Sequence, residues 1–346
     1  MANRKDLYEG HDYYNLDEFL SEEHLLARES IRGWVKQEVT PFIEGYTERA
    51  ECPTHLFKGL AEIGAFGPSL PVEYGGGGMD EIAYGIIMQE LERGDSGLCS
   101  MASVQGSLVM YPIYRFASED QKKKYLPKLG AGELIGCFGL TEPDFGSNPA
   151  GMVTNVKDDG DCLILNGAKM WITNSPVADI AVVWAKNEEG EILGMVVESD
   201  SKGFSAPEMH GKWSLRASIT GELVFEDVRV PKNQVFPLVR GLKGPLSCLS
   251  KARYGIAWGA IGAGLDCYDT ALRYSKERIQ FGKPLAAFQL TQKKLAEMIT
   301  ELTKAQLLVW RLGTLANNGK ATPAQISMAK RNSVITALNA VSYTHL

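Results

Sequence analysis

The chain has 346 residues, 45% of them hydrophobic, and its 36 Lys and Arg against 42 Asp and Glu leave a net charge of −6. That length suits about two or three domains and a core large enough to need no disulfide or metal staple. The acidic balance argues against non-specific nucleic-acid binding, Met1 to Asp6 lack the apolar core of a signal peptide, and the longest apolar stretch, Gly255 to Leu265, is too short to span a bilayer.

Up to about residue 130 the apolar spacing reads as helical. Ser21 is set as an N-cap, with His24 where a Glu would complete a capping box, so half of that box is expected. Thr40-Pro41 weakens or bends the first helix, and a second runs from Pro53 to Ile63. Pro68 to Gly78 is a long turn signal whose Gly75 to Gly78 run reads as a flexible connection, because no Lys-Ser/Thr follows to make a phosphate loop. Helices follow at Asp80 to Arg93, Ser100 to Phe116 and Ser118 to Leu129, the last capped by Ser118 with Glu119 and Asp120 on its positive end.

From Leu134 to Pro231 the pattern changes to short strands: Cys162 to Leu165, Ile180 to Trp184, Ile192 to Val197 and Leu223 to Val230. Turns are expected at Asp158-Asp159-Gly160, Asn166-Gly167, Glu188-Glu189-Gly190 and Lys202-Gly203. Strands without intervening helices point to a small sandwich or barrel rather than βαβ units. Helices then return at Leu246 to Glu277, at Gln289 to Leu315 and from Thr322-Pro323 onward, where Thr322 is the N-cap and Pro323 the first helical residue.

Little of this carries chemistry alone. Cys52, Cys99, Cys137, Cys162, Cys248 and Cys267 form no C-x-x-C pair, so neither a disulfide framework nor a zinc site is expected, and a reducing, cytoplasmic setting fits. His11, His24, His55 and His210 are scattered and read as surface or structural residues. Gly259, Gly262 and Gly264 sit in helical context and read as close packing rather than a dinucleotide fingerprint. Phe138 to Ser147 is a loop of small and polar residues able to present N–H groups and hydroxyls to a ring edge or phosphate, though an ordinary turn explains it too. Trp171 is either a core residue or a stacking platform. Arg278 either complements a helix C-terminus or grips a pyrophosphate.

Five blocks in order make the chain resemble the acyl-CoA dehydrogenase family, with the nearest likeness to its glutaryl-CoA dehydrogenase branch. They are Phe138 to Ser147, Trp171-Ile172-Thr173-Asn174, Ser214-Leu215-Arg216-Ala217-Ser218, Ala252 to Gly259 and Arg278 to Lys283. The resemblance spans Leu16 to Ala340. It implies a multi-domain α+β fold: a helical N-terminal domain (1–133), a middle β-barrel or sandwich domain (134–240) and a helical C-terminal domain (241–346).

It also implies FAD, an acyl-CoA substrate, a homotetramer and an electron-transferring flavoprotein as electron acceptor. On this likeness Leu140 and Thr141 hydrogen-bond the flavin pyrimidine edge, and Phe138 and Ile172 are further cofactor-binding residues. Gly146 and Ser147 lie near the pyrophosphate and the acyl-CoA, Trp171 beside the isoalloxazine, and Thr173 near flavin N5. Arg278, Phe281 and Gln289 reach the FAD of a neighbouring subunit. Arg253 contacts the CoA side of the tunnel, and Glu92, Cys99 and Ser100 flank the acyl tail. The activity implied is oxidation of the thioester to the 2,3-enoyl-CoA, with decarboxylation if the substrate is glutaryl-CoA. A non-catalytic flavin or acyl-CoA binding protein and an acyl-CoA oxidase-like enzyme are the alternatives.

Two positions depart from the branch. Its catalytic glutamate follows the third helix of the last domain, in a Tyr-Glu-Gly-Thr loop absent from these residues. Relatives that place it elsewhere put it directly before Arg253, where this chain has Ala252. No catalytic residue is assigned. The expectation is a C-terminally truncated, inactive chain, with the family glutamate beyond Leu346 and a closing Ser342 to Leu346 foreign to the family. The second departure is Cys99, where glutaryl-specific relatives carry an arginine. A neutral thiol cannot make the charge-assisted pair with a distal carboxylate, and the retained Glu92 disfavours an anionic tail.

Overall fold

The computed structural model describes residues 12–344. His11 and the closing His345-Leu346 lie outside them. The helices are α1 (Glu22–Trp34), α2 (Ile43–Arg49), α3 (Leu56–Glu62), α4 (Glu81–Gly94), α5 (Ser96–Ser103), α6 (Tyr111–Phe116), α7 (Glu119–Gly130), α8 (Lys243–Glu277), α9 (Gln289–Asn317) and α10 (Pro323–Tyr343). The strands are β1 (Gly136–Gly139), β2 (Asn155–Asp159), β3 (Cys162–Thr173), β4 (Ile180–Lys186), β5 (Ile192–Glu198), β6 (Phe204–Ser205), β7 (Thr220–Pro231), β8 (Ile279–Gln280) and β9 (Lys283–Pro284). Helices, then strands, then helices is the order the sequence predicts. Among the described residues no helix is long and apolar enough to cross a membrane.

The chain forms two compact units. One draws on the described parts of Met1–Val39 and Arg253–Leu346 together with Asp80–Ser96; the other comprises Thr40–Met79 and Gly97–Ala252.

In the first unit small residues let helices touch. A Cβ on Gly262 would stand 2.0 Å from the Gln89 carbonyl oxygen, and one on Gly85 would enter the Trp258 ring at 2.3 Å. Gly264 meets Leu302 and Gly313 meets Ile82 in the same way. The expectation of close packing at Gly262 and Gly264 therefore holds. His24 supplies a correction. Its Nδ1 accepts from the Ser21 N–H at 3.1 Å while Ser21 Oγ accepts from the His24 N–H, so the capping box is complete, with an imidazole in place of the carboxylate. The other ring nitrogen meets Asp80 Oδ1, itself the N-cap of α4.

In the second unit the helix expected over Ser100 to Phe116 is interrupted. Between α5 and α6, Val104–Met110 is wound as a π-helix. This turns Gln105 inward, where its amide donates to the Leu129 and Leu134 carbonyls and accepts from the Gly136 N–H at the head of β1. The Gly75 to Gly78 run is a turn, but a packed one rather than a flexible one. A Cβ on Gly76 would lie 2.2 Å from the Leu70 carbonyl oxygen.

The seven-stranded sheet has the order β1-β4-β2-β3-β7-β6, with β5 beside β4. β1 and β4 run parallel, while β2–β3, β3–β7 and β4–β5 are antiparallel. Its core holds Leu165, Val183, Met195, Leu223, Phe225 and Val228. Asn166-Gly167, expected as a turn, lies inside β3. There the register against β7 shifts between Leu165 and Gly167, and the β3 backbone presses so close to Thr154 that a Gly167 Cβ would sit 2.7 Å from its Cα. An Asn-Gly pair marks a bulge as readily as a hairpin, since both need glycine's freedom.

Candidate functional site

β1 ends at Gly139, and the chain turns into Leu140-Thr141-Glu142. This turn is tied to β3 by a buried ion pair. Lys169 Nζ donates to Glu142 Oε1 at 2.8 Å and to the Leu140 carbonyl at 3.2 Å. Glu142 also accepts from the N–H groups of Val153, at 2.7 Å, and Thr154, at 3.0 Å. Both side chains are essentially fully buried. Burial pushes Lys169 down to about 8 against the pull of Glu142. Burial would raise the Glu142 carboxyl, but the hydrogen bonds from Lys169, Thr154 and Val153 outweigh it and hold the group below its ordinary value. One lysine thus joins β3 to the Leu140 turn, and one carboxylate joins both to the Val153-Thr154 segment.

The clamp sets a neighbouring contact. The Met170 N–H donates to the Thr141 carbonyl at 2.9 Å. The next residue, Trp171, takes φ +62° as β3 slips register between Lys169 and Ile172. A left-handed tryptophan costs about 1–2 kcal/mol, and Trp171 is 59% exposed. It is not a core residue. Strained backbone carrying an exposed aromatic is a recurrent mark of a functional position. Among the described residues no partner takes the Thr141 N–H, the Thr141 hydroxyl or the Thr173 hydroxyl.

Phe138 and Ile172 are buried, Phe138 edge-on to Trp184, and so offer backbone rather than side chain. Gly146 and Ser147 lie exposed on the same loop, and a Cβ on Gly146 would meet nothing within 4 Å. In the same unit Cys99 is fully buried in α5, and Ser100 beside it is half-buried.

The first unit carries the remaining residues named from sequence. Arg278 follows directly on α8 and opens the β8–β9 hairpin. Phe281 and Gly282 form its two-residue tip at φ +51° and +72°. Both positive values match the turn that suits a hairpin's twist, but a phenylalanine there is strained. Phe281 is 92% exposed and lies edge-on to Phe288, next to Gln289 at the start of α9. Arg253 is half-buried on α8 and donates to Ser327 Oγ at 3.0 Å, and Glu92 is half-buried on α4.

So the structure brings Leu140, Thr141, Gly146, Ser147, Trp171 and Thr173 together in one unit, and Arg278, Phe281 and Gln289 together in the other. Glu142 and Lys169 were not singled out in the sequence. The signal was present: Leu163, Leu165 and Lys169 share the odd positions of β3, the face that points into the core, so a lysine there had to be buried and paired.

A planar, polar-edged ring fits this cluster. Thr141 offers an unpaired N–H and hydroxyl and Thr173 an unpaired hydroxyl, Trp171 an exposed face, and Gly146 open space. Among the described residues no group of three or more His, Cys, Asp and Glu could hold a metal.

Three family models match the chain: acyl-CoA dehydrogenase N-terminal domain over residues 21–133, middle domain over 137–228 and C-terminal domain over 240–342. The solved structure of a glutaryl-CoA dehydrogenase from Mycobacterium smegmatis in complex with FADH2 is similar at 47% identity and a TM-score of 0.94, covering 96% of this chain and 85% of that one. A chain from the structure described as the electron transferring flavoprotein of Acidaminococcus fermentans is similar at 32% identity and a TM-score of 0.91, covering 96% of this chain and 88% of that one. The mitochondrial short-chain specific acyl-CoA dehydrogenase of Rattus norvegicus is 35% identical over 316 residues, 90% of this chain and 77% of that protein.

Proposed function

This chain belongs to the acyl-CoA dehydrogenase family, with FAD as its cofactor and acyl-CoA oxidation as its chemistry, and from that premise we propose that Leu140, Thr141, Trp171 and Thr173 form the flavin site for a substrate with an uncharged acyl tail. FAD, when bound, supplies a two-electron acceptor for the hydride that leaves the substrate. The observation that carries the reading is the Lys169–Glu142 clamp, which holds unpaired Thr141 donors beside an exposed, strained Trp171.

Each residue has a distinct task. The Leu140–Thr141 backbone and the two threonine hydroxyls orient the ring edge. Trp171 covers ring surface and keeps water from it. Gly146 and Ser147 leave room for the phosphates and the thioester. Arg278, Phe281 and Gln289 reach a neighbouring subunit's FAD; an aromatic held outward on a hairpin tip supports that role and a homotetramer. Arg253 holds the CoA. Cys99 argues against a second carboxylate on the substrate, because a buried neutral thiol offers an anion neither charge nor a strong donor. Oxidation without decarboxylation follows. An electron-transferring flavoprotein is the proposed acceptor.

A second reading, flavin and acyl-CoA binding without turnover, is favoured by one residue. Position 252, directly before Arg253, is alanine, and no carboxylate there can remove the α-proton. On this second reading Ala252 leaves the thioester without a base, and the chain does not turn over acyl-CoA. The test is Ala252→Glu. The unsubstituted chain, given FAD and a short straight-chain acyl-CoA, should reduce a dye no faster than free flavin, and the variant should exceed that rate. Turnover by the unsubstituted chain would overturn the inactivity. Glutaryl-CoA consumed faster than its neutral analogue by the variant would overturn the uncharged tail.

A further inference from the structure

The Lys169 ammonium stands in an unusual place. It rests on the Leu140 carbonyl, the oxygen of the peptide group whose nitrogen belongs to Thr141. A cation on a peptide oxygen draws electron density along O=C–N–H and makes that N–H a stronger donor. The Thr141 N–H has no acceptor among the described residues. The Glu142 carboxylate does not cancel the lysine's field fully, since it also answers the Val153 and Thr154 N–H groups. All this happens away from water, where such effects are largest.

We infer that Lys169 is an electrostatic positioning residue for the flavin: through the Leu140–Thr141 peptide it sharpens a donor aimed at the ring edge and so favours the electron-rich reduced cofactor over the oxidised one. This rests on the proposed assignment of Thr141 to that edge. Preorganised positive potential placed where negative charge accumulates is the general device. Glu142 opposes it, so the two partners of one clamp act on the cofactor with opposite sign. A clamp that served only to hold the loop would behave otherwise: loss of either partner would loosen the site in the same direction.

The experiment uses the full chain with saturating FAD and compares unsubstituted protein, Lys169→Met, Lys169→Arg and Glu142→Gln. Each is first checked for folding by circular dichroism. FAD affinity is read by flavin fluorescence, and the midpoint potential against a dye of known potential. Lys169→Met should lower the preference for reduced over oxidised flavin about tenfold, a fall of about 30 mV for a two-electron couple. Lys169→Arg, which keeps the charge, should restore most of it. Glu142→Gln should move the potential the other way. Equal potentials in Lys169→Met and the unsubstituted protein, or shifts of the same sign in Lys169→Met and Glu142→Gln, would overturn the inference and leave the clamp a structural one. If Lys169→Met does not fold, the direction of Glu142→Gln decides alone. An unsubstituted chain that takes up no FAD overturns the flavin assignment itself, which separates that failure from this one.

Discussion

Arg93 on α4 and Asp269 on α8 meet at 2.5 Å with both side chains all but hidden from water. Residues so far apart in sequence are brought together because Gly262, two turns before Asp269, lets α8 lie against the backbone of α4. Removing one partner of a buried pair takes away part of what compensates the other charge, at about 3–5 kcal/mol. Arg93→Met should therefore lower the unfolding free energy by about that much in urea melts. The double variant Arg93→Met, Asp269→Leu should recover most of the loss, because an apolar pair fills the space without a desolvated charge.

The close approach itself can be tested. Gly262→Ala places a methyl 2.0 Å from a backbone carbonyl that cannot swing aside. The helices must separate, and a loss of about 3 kcal/mol or more is expected. Gly146→Ala, where a Cβ meets nothing within 4 Å, should leave stability nearly unchanged in the same assay.

Trp171 should show opposite effects on stability and binding. Trp171→Gly relieves about 1–2 kcal/mol of backbone strain, offset in part by about 0.5–1 kcal/mol of added freedom in the unfolded chain. Without FAD the variant should melt at the same temperature or slightly higher. Loss of ring stacking, worth about 0.5–1.5 kcal/mol, should weaken FAD binding about two- to tenfold in a fluorescence titration. A variant that both melts earlier and binds equally well would mark Trp171 as structural.

The clamp carries an acid signature. Glu142 sits below its ordinary value of 4.5 in the fold. A carboxyl lowered on folding adds stability at pH above its unfolded value, and that share is lost as pH falls through the lowered one. The stability gap between the unsubstituted chain and Glu142→Gln should thus be full near neutrality and shrink below pH 4.5 in urea melts. A gap constant down to about pH 3 would show that the charge contributes nothing.

The helical elements were legible because their signals are local. Ser118 and Thr322 cap α7 and α10 as their sequences announce, each in a full capping box. The family blocks drew attention to Thr141, Trp171 and Phe281, but not to the strained backbone beneath the two aromatics, since conformation at a bulge or hairpin tip depends on strand partners far along the chain. That His24 completes its own cap is not legible locally, because an imidazole nitrogen is an acceptor only in one tautomer, a state Asp80 selects from 56 residues away. Lys169 is likewise set by a distant residue: its partner is 27 residues away, and only β3's face says that it must have one.

The helical unit is interrupted in sequence. Its α4 is complete by residue 96, and its next stretch begins at residue 253. A ribosome adding about 5–20 residues per second would need roughly 8–30 s to cross that gap. During that time α1 and α4 are in being without α8, α9 or α10, and the face of α4 that will meet Trp258 and Asp269 has nothing to close on. The sheet unit, complete by residue 252, has no such wait. Nascent chains of this protein should therefore engage chaperones through the α4 segment rather than the sheet, and slow codons after residue 253 would lengthen that exposure.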